Sequence, residues 1–176
     1  MYMEVGETHP VRELMEGVAM ASANDGCVAL AEYVAGSEEI FVERMNARAK
    51  ELGMVDTHFV NTNGLPVADH YSSAYDIAVM SKRLYSFEET HKWFTTWQST
   101  ITVGLPGKEK EFGLTNTNKL IKAYPGCNGI KTGYWSPAKK DDLVQRLGTY
   151  EDIGLEPAEI VKRLKDAEKA AEGRNA

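Results

Sequence analysis

Apolar residues recur at helical spacing through much of the first half of the chain, and short polar stretches separate the runs. In "THPVRELMEGVAMAS", Val11, Leu14, Met15 and Val18 share one face. The pattern predicts a helix with Thr8 as N-cap and Pro10 and Val11 opening its first turn. A polar break, "SAND", leads into a second, more apolar helix that Gly36 ends. A third, amphipathic helix runs through "SEEIFVERMNARAKELGM", capped by Ser37, with Ile40, Phe41, Met45, Ala49 and Leu52 as its inner stripe and Gly53 as its stop.

A Gly/Pro-punctuated loop, "HFVNTNGLPVADHYSS", precedes a fourth helix capped by Ser72 or Ser73. The β-branched and aromatic run "WFTTWQSTITV" predicts extended chain, and "GLPGKEKEFGL" is rich in turn residues. "TNTNKLIKAYPGCNGIKTGYW" predicts a loop, a short helix, a Pro-Gly turn and a strand. The opening "MYMEVGETHP" reads as a piece of strand and turn inside a domain. After Trp135 charge rises and predicts two helices. Ser136 caps the first, with Pro137 at N1. Glu156 and Pro157 open the second, whose stripe is Ile160, Val161, Leu164 and Ala167. No internal repeat occurs.

Composition narrows the partners rather than the fold. The chain has 176 residues, room for one domain with a core. Its net charge of -6 offers no basic patch and argues against a nucleic-acid partner. No run approaches the ~18 apolar residues of a membrane span. The first residues have no basic stretch followed by an apolar one, so no signal peptide is expected. Cys27 and Cys127 show no framework spacing and are expected to be free thiols. No cofactor or metal ligand set is expected.

Two short motifs carry candidate chemistry. Ser22 and Asn24 place a hydroxyl and an amide in a break between helices, where one can relay a proton and the other hold a carbonyl or a lysine. Alone, this is better read as a helix cap. Lys131, Thr132 and Gly133 put a cation, a hydroxyl and an unencumbered backbone on one expected strand, suited to an anionic ligand lying along it. Alone, this is better read as an edge strand with a protective lysine and a turn glycine. Ser-x-Asn followed about a hundred residues later by Lys-Thr-Gly is the order found in active-site serine β-lactamases and penicillin-binding proteins.

The likeness extends beyond the triplets. "MEGVAMASANDGCVALAEYVAGSEEIFVERMNARAKELGM", "THFVNTNGLP", "HYSSAYDIAVMSKRL" and "NTNKLIKAYPGCNGIKTGY" resemble, in order, segments of serine-type D-alanyl-D-alanine carboxypeptidases, the low-molecular-mass penicillin-binding proteins. The resemblance implies an α+β fold of the β-lactamase/transpeptidase-like kind, of which this chain holds mostly helices and one or two sheet strands. It implies a peptidoglycan D-Ala-D-Ala peptide or a β-lactam as ligand, and an extracytoplasmic, cell-envelope setting. Ser22 resembles the proton-relay serine and Asn24 the asparagine that contacts the catalytic lysine and substrate. Lys131 and Thr132 resemble the residues that receive the terminal carboxylate, with Gly133 beside them. The backbone amide of Tyr134 falls where one oxyanion-hole donor belongs.

The family's first motif, Ser-x-x-Lys, precedes Ser-x-Asn. Here no serine precedes Ser22, and the one Ser-x-x-Lys, Ser136 to Lys139, follows Lys-Thr-Gly. Ser136 before Pro137 is better explained as a helix cap. A chain without the nucleophile segment is therefore expected, inactive by itself and cytoplasmic if made as given. Residues 1–138 are expected to form the partial carboxypeptidase domain. Residues 139–176 are expected to be a separate helical tail that resembles a short segment of phage and mobile-element proteins. The alternatives are a non-catalytic helical interaction protein or broken gene product, and a fragment of a class A β-lactamase.

Overall fold

The structure, a computed structural model, describes Met1 and residues 3–133. Tyr134, the Ser136–Lys139 stretch and the expected tail helices lie outside the described residues. The described part contains α1 (Val11–Ala21), α2 (Asn24–Ala35), α3 (Glu38–Glu51), α4 (Ala74–Tyr85), α5 (Glu88–Thr95), β1 (Gln98–Val103), β2 (Lys110–Thr115) and α6 (Leu120–Ala123). It is a mostly helical α+β arrangement with a two-stranded antiparallel sheet.

Helix boundaries follow local chemistry. Pro10, rather than Thr8, occupies the N-cap of α1, and no side chain caps it. Its carbonyl accepts from Glu13 N and Leu14 N, so the backbone itself closes the first turn. Ser37 Oγ accepts from Ile40 N at the start of α3, and Ser73 Oγ accepts from Asp76 N at the start of α4, as the sequence predicts. Of the expected α3 stripe, Ala49 is buried, whereas Ile40 stands 46% exposed.

Gly36 ends α2 at φ 88°, and its N–H donates to Glu32 O at 2.7 Å. A Cβ there would meet no atom within 4 Å, so a substitution tests backbone conformation alone. Gly36→Ala should cost about 1 kcal/mol, the penalty of a side chain in the left-handed region. Urea denaturation checks this, and an unchanged midpoint would refute it.

The "WFTTWQSTITV" stretch divides in a way that its propensities hide. Trp93, Phe94 and Thr95 complete α5, and the paired strand begins only at Gln98. Glu88 and Glu89 favour the positive end of α5. Phe94 and Thr90, four apart, are buried on one side. Asn116, 3% exposed, donates Nδ2–H bonds to Phe94 O at 3.3 Å and Thr96 O at 2.9 Å. A distant amide thus satisfies carbonyls that the helix end leaves open.

β1 and β2 pair with Gln98 opposite Thr115 and Val103 opposite Lys110. "GLPGKEKEFGL" therefore contains a strand as well as a turn. Alternation places Ile101, Val103 and Leu114 inward, where they form a core with Met20 of α1. Ser99 Oγ donates to Glu16 Oε2 at 3.0 Å, a second link from sheet to α1. Leu14 and Ala19 complete the buried side of α1. In α2, a Cβ on Gly26 would lie 3.2 Å from Val18 Cγ2, so the glycine permits close packing of α1 and α2.

Side chains pin the long loop between α3 and α4. Asp76 is fully buried, and its Oδ2 accepts from Asp56 N at 2.8 Å and Thr57 Oγ1 at 2.7 Å. Asn46 of α3 exchanges two 2.8 Å bonds with the backbone of Phe59. His58 and Tyr71 form an antiparallel bridge across the loop.

Candidate active site

The C-terminus of α1 is the base of the site. Ser22 adopts the left-handed conformation, φ 56° and ψ 46°, and Ala23 N donates back to Gly17 O at 3.1 Å. This seven-residue closure turns the chain sharply into α2 and leaves the Ser22 side chain exposed beside the helix end. Ser22 is therefore the residue that closes α1, and Ala23 is the N-cap position of α2, without a side-chain cap bond.

Lys131 reaches this point from far along the chain. Its Nζ donates to Ser22 Oγ at 2.6 Å, to Thr132 O at 2.9 Å and to Thr117 Oγ1 at 3.5 Å. Thr117 Oγ1 and Thr132 Oγ1 are 2.8 Å apart. Thr117 N in turn donates to Met20 O at 2.8 Å, which fixes this residue against the end of α1. One ammonium and three hydroxyls from three segments thus share a small exposed area.

The Lys-Thr-Gly segment differs from expectation in one respect. Residues 128–133 form no strand. A strand exists by pairing, and among the described residues the only sheet is β1–β2, which this segment does not join. Lys131 and Thr132 are instead placed by side-chain bonds to Ser22 and Thr117.

Electrostatics follow from this placement. Lys131 is exposed as a residue, yet partial burial of its ammonium lowers its proton affinity below the ordinary lysine value, and the nearby Cys27 thiol opposes that shift. Between the lowered folded value and the ordinary one, the unfolded chain binds more protons, so stability rises with pH through that alkaline window. The exposure of Lys131 keeps the effect small. Cys27, one turn into α2, is pushed up chiefly by burial and then by Asp25 and Glu38, while Lys131 pulls it down. Both cysteines are free.

Of the residues singled out in the sequence, Ser22, Lys131 and Thr132 come together. Asn24 opens α2, exposed, and makes no side-chain hydrogen bond among the described residues. Gly133 is exposed, at the end of the described residues, and Tyr134 lies outside them. Thr117 was not legible as a site residue. Its contacts cross 14 and 15 positions, and its local sequence reads only as a loop.

Solved structures similar to this chain include DD-transpeptidases and penicillin-binding proteins. An alanine-for-serine mutant of a streptomyces K15 DD-transpeptidase superposes with a TM-score of 0.71 at 26% identity, covering 77% of this chain and 55% of that one. Penicillin binding protein 6B from Escherichia coli is 35% identical with a TM-score of 0.63, covering 78% and 42%. The sequence model of the D-alanyl-D-alanine carboxypeptidase family matches residues 1–149. The chain belongs to that family. It is 48% identical over 139 residues to the D-alanyl-D-alanine carboxypeptidase DacF of Bacillus subtilis, a match that covers 79% of this chain and 35% of the relative. The chain thus spans about a third of the length of the curated relatives it matches. The family match continues to residue 149, past the expected junction after residue 138.

Proposed function

We propose that this chain supplies the second and third active-site elements of a D-Ala-D-Ala carboxypeptidase, and that its site receives the C-terminal carboxylate of a peptidoglycan stem peptide. The Lys131–Ser22 contact at 2.6 Å carries this reading. It joins the two motifs across 109 positions at the point where a proton relay and an anion-binding cation must meet. Lys131 attracts the carboxylate as a point charge, and Thr132 adds a hydroxyl bond. Ser22, already hydrogen-bonded by the ammonium, is positioned to pass a proton between the lysine and a leaving amine. Asn24, exposed at the start of α2, holds the peptide carbonyl. A β-lactam carboxylate binds at the same place as the peptide carboxylate.

The substrate lies outside the cytoplasmic membrane, so the domain acts in the cell envelope. Among the described residues no helix is long and apolar enough to cross a membrane. The tail, residues 139–176, takes no part in this reading.

The carboxylate contact is tested without turnover. N-acetyl-D-Ala-D-Ala titrated into the isotope-labelled chain should shift the amides around Ser22, Lys131 and Thr132, with a Kd of about 1 mM. Lys131→Met should weaken binding roughly tenfold or more, the loss of a charge-assisted bond. Equal binding of the free acid and its C-terminal amide would refute the assignment.

A further inference from the structure

We propose that Thr117 is a positioning residue that sets the direction of the Thr132 hydroxyl. The inference rests on the reading of Lys131 and Thr132 as the carboxylate site and adds a residue outside both motifs. A lysine ammonium has donors and no acceptor. Both Ser22 Oγ and Thr117 Oγ1 must therefore accept from Lys131 Nζ, the first at 2.6 Å and the second, more weakly, at 3.5 Å. With its oxygen engaged in this way, Thr117 has one proton to give. The Thr132 oxygen stands 2.8 Å away; either hydroxyl of this pair can donate, and we assign the proton to Thr117, whose oxygen already accepts from Lys131. That leaves the proton of Thr132 free to point away from Thr117, towards a ligand.

The result is a one-way chain of donors, from Lys131 through Thr117 to Thr132 and then to the bound carboxylate. A hydroxyl is by itself free to turn. In the reverse orientation, Thr132 would donate to Thr117 and present only lone pairs to the anion, which repels them. The direction of one proton thus separates an attractive site from an unfavourable one.

Thr117 can do this because its backbone is fixed. Its N–H is held by Met20 O at 2.8 Å, two residues before Ser22. On either side, Asn116 and Asn118 are buried, at 3% and 7% exposure. Asn116 Oδ1 accepts from Asn118 N at 2.9 Å, and Asn118 Oδ1 accepts from Leu120 N at 3.2 Å. The two asparagines form a rigid turn from which Thr117 alone projects to the surface. The same carbonyl end of α1 that presents Ser22 therefore sets where Thr117 stands.

The test compares Thr117→Val, which keeps the shape and loses the hydroxyl, with Thr117→Ser, which keeps the hydroxyl. Both are made in the full chain and titrated by NMR with N-acetyl-D-Ala-D-Ala and with its C-terminal amide. Thr117→Val should weaken binding of the free acid about fivefold and leave the amide unchanged. Thr117→Ser should stay within about twofold of the wild type for both ligands. A purely structural role would weaken both ligands alike and would not be rescued by serine. Should the wild type itself show no preference for the acid, the carboxylate site falls and this inference falls with it. Should the wild type prefer the acid while Thr117→Val behaves like it, or Thr117→Ser fail like valine, the Thr117 role alone is overturned.

Discussion

Incubated with a fluorescent penicillin and run on a denaturing gel, the chain of 176 residues will carry no covalent label. A full-length relative treated in parallel will label. The reason is chemical. Acylation needs an oxygen nucleophile with a base beside it, and within these residues the only Ser-x-x-Lys is Ser136 to Lys139, after the Lys-Thr-Gly triplet. Among the described residues Ser22 is the hydroxyl nearest to Lys131, but it accepts a bond from the ammonium at 2.6 Å. A protonated lysine in that contact offers no lone pair to take the serine proton. By comparison with nucleophile removal in a serine protease, the rate should be about a million-fold below that of an intact enzyme. A label that disappears in Ser136→Ala would overturn this and make that serine a nucleophile. A label that disappears in Ser22→Ala would instead make the relay serine the attacking group.

Met20→Ala should be the most damaging single truncation in the described core. Met20 has no exposed surface and packs against Ile101, Val103 and Leu114. Removing its side chain forfeits the transfer of the thioether chain and leaves a cavity under the β1–β2 hairpin, a loss of about 2–5 kcal/mol. In a domain this size that is a large part of the total stability. Urea denaturation should show a lower midpoint with an unchanged slope. A loss below about 1 kcal/mol would mean that the hairpin does not pack on α1 as described. The effect reaches the site as well, because the carbonyl of the same residue holds Thr117 N. A partly unfolded Met20→Ala chain should lose acid-over-amide preference in step with its folded fraction.

Where the sequence carries local signals, those signals sufficed. Ser37, Ser73 and Gly36 each act within one helical turn, and each ends or begins a helix as their chemistry predicts. The misreadings arose where a distant partner decides. Trp93 to Thr95 are good strand formers, but Asn116, about twenty positions away, completes the end of a helix there. Lys131 to Gly133 read as a strand, but a strand is a property of two segments, and the described residues hold no partner for this one. Thr8 is the local exception: it has the right side chain for a cap, yet the Pro10 carbonyl two residues on starts the helix without it. The site divides in the same way. Ser22, Lys131 and Thr132 belong to short motifs that the family resemblance singles out, and the structure brings their side chains together. Thr117 carries no such mark, since its function is defined by Lys131, Thr132 and Met20, none of which is near it in sequence.

The left-handed backbone of Ser22 has an evolutionary consequence. The position that closes α1 at φ 56° is one where glycine fits more easily than any residue with a Cβ. Serine is held there against that conformational preference, and its hydroxyl is what Lys131 contacts. In a lineage selected only for a stable fold, position 22 should drift to glycine. In one still selected for the site, serine should persist. The identity of this single residue across close relatives is thus a record of whether selection acts on the chemistry or on the scaffold alone.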